Sequence, residues 1–401
     1  MRVIGLISGT SVDGIDGAIA EIHGQGYQLA VTVLGGGTVA YPPEVQGAIL
    51  RACAGEALTL SALADLDDAV AQCFAQAAQA LVDQYGPVDL VASHGQTVFH
   101  RPPDRGAEGA RRNPRLGYSL QLGRGAAISD QLQCLTVSNF RAADIAVGGE
   151  GAPLVPPIDA VLLAHENRDR CVQNIGGIGN VAYLPPQDKL FATPSPQVFG
   201  WDTGPGNSLL DLAVQTLSGG TLTFDQGGQW AAQGTPDLSL VETWLRHPYF
   251  DQAPPKSTGR ELFGWDFWQQ CQAQMTTLAP ADVLATLVDF TAASIAQEYR
   301  RWLPQLPAEV LLCGGGSRNF YLRERLAHYL PVIPITTTDD LGVPSGLKEA
   351  IAFAVLGFWR HQGFPGNLPT VTGAHGPVVL GEIHYPTPTA FPFGTGSSPM
   401  L

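Results

Sequence analysis

Two short stretches of this chain follow one plan, and together they narrow the folds open to it. Near the start, the apolar run 3–7 leads into a polar, glycine-bearing turn over 8–14 and then into a second apolar run, 15–22. Apolar β-formers flanking residues that tolerate turn geometry predict two strands joined by an unusual turn. Residues 171–185 repeat the plan, with strand 171–175, a turn of Gly176, Gly177, Ile178 and Gly179, and strand 180–184. Two such openings, about 170 residues apart, predict two related domains facing one another.

The intervening segments supply helices. Residues 57–85 set Leu63, Leu66, Val70, Phe74 and Leu81 on one helical face, and Gly86 and Pro87 stop the helix before a strand at 88–93. Residues 283–302 are again helical, ended by Pro304 and Pro307 ahead of a strand at 310–313, the glycine run 314–316 and a helix at 319–329. Strand, glycine turn and helix recur in both halves, which predicts an α/β fold. A chain of 401 residues has room for two or three domains. The arginine-rich stretch 101–118 reads as an exposed loop, and the proline-, glycine- and serine-rich end, 382–401, as a flexible tail outside the fold.

Charge excludes some partners. Lys and Arg number 22 against 36 Asp and Glu, a net charge of -14, so no basic field attracts nucleic acid or an anionic membrane. The longest nearly pure apolar stretch, 350–359, is about half the length of a membrane span. Polar Ser8–Ser11 and then Asp13 and Asp16 interrupt the first apolar run, which no signal peptide core tolerates, so a cytoplasmic protein is expected. The six scattered cysteines read as reduced core thiols.

Several motifs carry chemistry. The first turn joins Gly9, Thr10, Ser11, Asp13, Gly14 and Asp16, a set suited to nucleotide phosphates through backbone N–H groups, hydroxyls and a carboxylate near Mg²⁺; in isolation it is also an ordinary hairpin turn. No P-loop motif is present, and the chain has only three lysines. Residues 177–182 fit G-x-G-x-x-A, yet a strand follows where a dinucleotide site needs a helix. Asp202 lies at a strand end before an apolar helical pattern, where a carboxylate is either a helix cap or a general base aimed into a cleft. Ser345–Lys348 matches the S-x-x-K of acyl-transfer enzymes without their partner motifs. Residues 93–97, Arg141 with Asp144, and Lys256 with Arg260 and Glu261 each read as structural when taken alone, and Lys348 with Glu349 as a solvated pair at a helix start.

Taken together, blocks at 7–16, 93–97, 140–156, 174–180, 202–207, 256–263, 314–319 and 348–354 resemble the anhydro-N-acetylmuramic acid kinase family, in that family's order. The resemblance implies two ribonuclease-H-like domains of the actin and hexokinase type with ATP in the cleft between them. It sets residues 1–136 with a returning segment 348–381 in the first domain and 137–347 in the second. It also implies that 1,6-anhydro-N-acetylmuramic acid, ATP and water give N-acetylmuramic acid 6-phosphate and ADP, with Mg²⁺, in a homodimer. On that basis Gly9–Asp16 form the phosphate loop, with Asp13 toward the metal. Gly176, Gly177, Gly179 and Asn180 form a second phosphate turn, and Gly314, Gly315 and Gly316 the adenosine side. Asp202 is the catalytic carboxylate and Glu349 a second one. Arg141 meets the lactyl carboxylate of the sugar, and His94, Thr97, Gly204 and Asn207 complete the sugar side. Val12 stands where the family usually has methionine, a change of packing and not of chemistry. A plain sugar kinase of the same fold, or an actin-like protein that ATP only gates, are the alternatives.

Overall fold

In the computed structural model, which describes residues 1–9, 12–103, 116–190, 198–254, 256–260 and 262–387, the first apolar run becomes the centre of a sheet. Strand β1 (Arg2–Ser8) pairs antiparallel with β2 (Ile15–Gln25), which pairs in turn with β3 (Gln28–Val39). On its other side β1 lies parallel to β4 (Leu90–Arg101), and β4 to β6 (Thr136–Ser138), while β5 (Tyr118–Leu122) pairs with the far end of β4. Burial on both faces explains why β1 is a continuous apolar run and does not alternate.

The second sheet repeats this order. Strands β7 (Arg170–Ile175), β8 (Ile178–Leu184) and β9 (Phe199–Pro205) form the antiparallel meander, and β10 (Glu309–Cys313) and β11 (Ile335–Thr337) add parallel strands beside β7. The first sheet runs β3, β2, β1, β4, β6, with β5 off this path on β4, and the second runs β9, β8, β7, β10, β11, so each has a three-stranded meander followed by two parallel strands. This is the α/β architecture of two ribonuclease-H-like domains expected from the sequence.

Helices cover both sheets. Leu60–Tyr85 buries Leu66, Val70, Phe74 and Leu81 against the first sheet; the Thr59 hydroxyl accepts from the Ala62 N–H at its start, and Gly86 (φ 92°) ends it. On the opposite face, Lys348–Gln362 packs onto β1, β2 and β4. Gly5 permits that approach, since a β-carbon there would run into the Ala350 carbonyl. Pro280–Trp302, buried along most of its length, anchors the core of the second sheet. A further apolar cluster joins residues of both sheets, including Val3, Leu90, Val172 and Leu311, around Lys348–Gln362 and Pro156–Leu163.

Some expectations change. A strand β12 (Glu382–His384) pairs antiparallel with β6, so the flexible tail does not begin at 382; its end, 388–401, lies outside the described residues. The boundary expected after residue 136 falls inside β6. Most of the arginine-rich loop, 104–115, also lies outside the described residues, and Tyr118 already belongs to β5. All six cysteines are free, but Cys53 is exposed and Cys134 only partly buried. Among the described residues no helix is long and apolar enough to cross a membrane.

Candidate active site

Asp202 sits within β9, several residues before the helix Ser208–Leu217, whose N-cap is Asn207, so the helix-cap reading fails. Strand alternation sends Trp201 into the second core and leaves half-buried Asp202 facing the gap between the sheets. A cavity of about 520 Å³ opens there, walled by Asn174, Asn180, Asp202 and Lys256 from the second half and by His100, Glu150 and Glu349 from the rest. The carboxylate is held in place: Asp202 Oδ2 accepts from the Thr258 N–H at 2.8 Å, while its backbone N–H donates to the Lys256 carbonyl at 3.2 Å.

Glu349 faces the same cavity from the first turn of Lys348–Gln362. Crowding by protein raises its carboxyl above the ordinary range; Lys348 and Arg141 draw it down, and Asp16 and Asp159 push it up. The solvated Lys348–Glu349 pair is not what forms. Lys348 is buried, and its ammonium donates to both carboxylate oxygens of Asp159 at 2.8 Å. Burial works against that ammonium, but Asp159 outweighs it and keeps the lysine charged. The S-x-x-K lysine is thus committed to an ion pair. Asp159 had one sequence signal, a lone carboxylate in the otherwise apolar helix Pro156–Leu163.

Arg141, from the helix Phe140–Ala146, donates through Nε to His94 Nε2 at 3.0 Å, and His94 Nδ1 lies 3.0 Å from the Gly95 carbonyl. That pair of contacts fits a neutral ring with its proton on Nδ1. Burial, then Arg141, pull the His94 pKa down to about 3. Burial likewise lowers Arg141 to about 10, against the pull of Glu349. His94 therefore has both ring nitrogens engaged within the protein and supports Arg141. Asp144 is fully buried, and its carboxylate accepts from the Gly151 N–H, Asn367 and Thr372, fixing the loop that brings Glu150 to the cavity.

The glycine turns follow the carboxyl ends of the central strands β1, β7 and β10, the end at which open α/β sheets bind ligands. Asn207 N–H donates to the Gly176 carbonyl at 2.8 Å, and Gly206 N–H to the Gly177 carbonyl at 3.0 Å. Gly314 (φ 76°) abuts Asn174 and Ile175, Gly315 lies beside Asn207, and Gly316 packs on Ile175. Gly179 and Asn180 lie just inside β8, after Ile178, and Asn180 alone of that turn lines the cavity. Gly204 is buried at the end of β9 and Thr97 on β4 accepts from Gln121, so neither is on the cavity wall. In the first turn, Ser8 donates to the Gly14 carbonyl at 2.9 Å and Thr38 to Asp16 at 2.5 Å; Gly9 and Asp13 are exposed, and Val12 is buried in the core. Burial raises Asp16, its bond from Thr38 lowers it, and the charge of Asp13 raises it further. Thr10 and Ser11 lie outside the described residues.

The family profile for anhydro-N-acetylmuramic acid kinase matches residues 1–386. An anhydro-N-acetylmuramic acid kinase of Trichormus variabilis is 58% identical over 385 residues, covering 96% of this chain and 97% of that protein. One from Picosynechococcus sp. is 56% identical over 389 residues, covering 96% and 100%. Among solved structures, a ROK family glucokinase from Streptomyces griseus in complex with glucose and AMPPNP is 12% identical with a TM-score of 0.39, covering 89% of this chain and 99% of that one. The sequence relationship is decisive by itself: the chain belongs to the anhydro-N-acetylmuramic acid kinase family.

Proposed function

We propose that this chain uses ATP and water to convert 1,6-anhydro-N-acetylmuramic acid to N-acetylmuramic acid 6-phosphate and ADP, in the recycling of cell-wall sugar. The observation that carries the reading is the meeting of Asp202 and Glu349 in one cavity walled from both halves of the molecule. Asp202 takes a proton from water as the water oxygen bonds to the anomeric carbon. The bond from that carbon to O6 breaks, and its electron pair stays on O6. That oxygen attacks the γ-phosphorus, and the bond to the β–γ bridging oxygen breaks to leave ADP. Glu349 orients the water, and Arg141 meets the lactyl carboxylate with paired charged hydrogen bonds.

Mg²⁺ is expected with the nucleotide. Among the described residues no group of three His, Cys, Asp or Glu side chains could hold a metal alone. That suits an ion carried mainly by ATP phosphates and met by one or two carboxylates. Asp13 and Asp16, close enough for one charge to be felt by the other, are the pair that would hold it. When bound, the ion offsets phosphate charge. We further propose that the protein works in the cytoplasm as a homodimer.

Asp202→Asn tests the base. Turnover, measured as ADP released with the anhydro sugar, should fall by about 10²- to 10⁴-fold while ATP binding is retained. Full activity of the variant removes the assignment. Phosphorylation of intact N-acetylmuramic acid in place of the anhydro sugar would indicate a plain sugar kinase.

A further inference from the structure

Glu298, Lys256 and Trp201 are given no role in the chemistry above, although Lys256 and Trp201 reach the cavity wall, and together they brace the strand that carries Asp202. Glu298 lies on Pro280–Trp302 with its side chain wholly buried. Its Oε1 accepts from Lys256 Nζ at 2.8 Å, and its Oε2 accepts from Trp201 Nε1 at 2.9 Å. Lys256 is 2% exposed at its side chain, donates also to the Tyr249 carbonyl at 3.2 Å, and lies over the Tyr249 ring at 4.5 Å. The Tyr249 hydroxyl donates to the Asp202 carbonyl at 2.5 Å.

These contacts close around one residue. Trp201 precedes Asp202 in β9. Lys256 supplies the carbonyl that accepts from the Asp202 N–H, and two residues later Thr258 supplies the N–H that holds Asp202 Oδ2. Thus a single carboxylate ties down both the strand bearing Asp202 and the segment whose backbone orients its carboxylate. A buried ion pair contributes little net stability compared with an apolar substitute, so stability alone gives a weak reason for one here. Fixing a reacting group within a fraction of an ångström gives a stronger one.

We propose that Glu298 is a positioning residue for Asp202, acting through Lys256 and Trp201 to hold the carboxylate at its angle to the cavity. The inference rests on the reading of Asp202 as the base. It predicts a larger loss in turnover than in binding, because Glu298 is wholly buried and the side chains of Trp201 and Lys256, although they reach the cavity wall, are almost fully buried and committed to contacts within the protein. Loosening the Thr258 N–H bond also removes a donor that favours the charged carboxylate, so the base becomes harder to ionise.

The test compares Glu298→Gln, Trp201→Phe and the double variant Lys256→Met with Glu298→Met, beside Asp202→Asn. The double variant removes both buried charges together and avoids stranding one of them. For each folded variant, kcat should fall by about 10- to 100-fold, with KM for the anhydro sugar and for ATP within about threefold of the parent. The acidic limb of the kcat profile should move to higher pH. Turnover at the parent level in the folded variants overturns the proposal, as does a loss of kcat that leaves the acidic limb in place. If Glu298→Gln fails to fold, Trp201→Phe and the double variant decide the matter by the same readings. Full activity in Asp202→Asn defeats the base assignment and this inference together. An inactive Asp202→Asn beside fully active Glu298 and Trp201 variants defeats this inference alone.

Discussion

His94 shows how far a side chain's role depends on what its atoms are already doing. Its ring is buried, rests against Phe353, and accepts from Arg141, so protonation would set two cations against each other. Its pKa falls from 6.5 to about 3, meaning that the unfolded chain binds the proton more readily than the folded one. Stability present above pH 6.5 should therefore be lost as pH falls toward 3, at up to about 1.4 kcal/mol per unit from this group. Urea unfolding of the parent and of His94→Gln between pH 6.5 and 4 should show the steeper decline in the parent; parallel lines would contradict it. Arg141 itself should bear on binding. Arg141→Ala is expected to raise KM for the anhydro sugar by about 10- to 100-fold, with a smaller change in kcat. An unchanged KM would remove the carboxylate contact.

At the level of elements, the helix Lys348–Gln362 links the catalytic cavity to the first sheet. Gly5 sets its distance from β1, and Lys348 fastens its first turn to Asp159 of Pro156–Leu163. Gly5→Ala forces the helix outward and should cost about 1–3 kcal/mol. It should lower kcat as well, since Glu349 moves with the helix; the two effects are read by thermal melting and ADP release. Asp159→Ala strands a buried ammonium and should cost about 3–5 kcal/mol, whereas Asp159→Leu combined with Lys348→Met should recover most of that loss. Equal stability of the single and double variants in urea titrations would show that the ammonium finds another partner.

Over the whole molecule, the two sheets are not independent bodies joined at an empty cleft. One apolar cluster draws side chains from β1, β4, β7, β8 and β10 around the two helices that carry the Lys348–Asp159 pair. Unfolding either half would expose apolar surface belonging to the other. Calorimetry should therefore show a single cooperative transition, and two well-separated transitions would mean that the shared cluster contributes little.

The repeated hairpins, the long helices and the glycine turns were legible in the sequence because strands and helices leave periodic apolar patterns and turns need particular residues. Family membership was legible too, through short blocks kept in order along almost the full chain. The partners of charged groups were not. Lys348 next to Glu349 suggests a local pair, yet Asp159, far away in the chain, takes the lysine because folding buries both and leaves Glu349 facing the cavity. His94 carries no mark showing that Arg141 fills its second nitrogen, and Glu298 none showing that it braces the strand of Asp202. Local pattern follows from backbone geometry, which neighbours in sequence specify. Hydrogen-bond partnership and desolvation depend on which distant segments meet, and only the packed structure decides that.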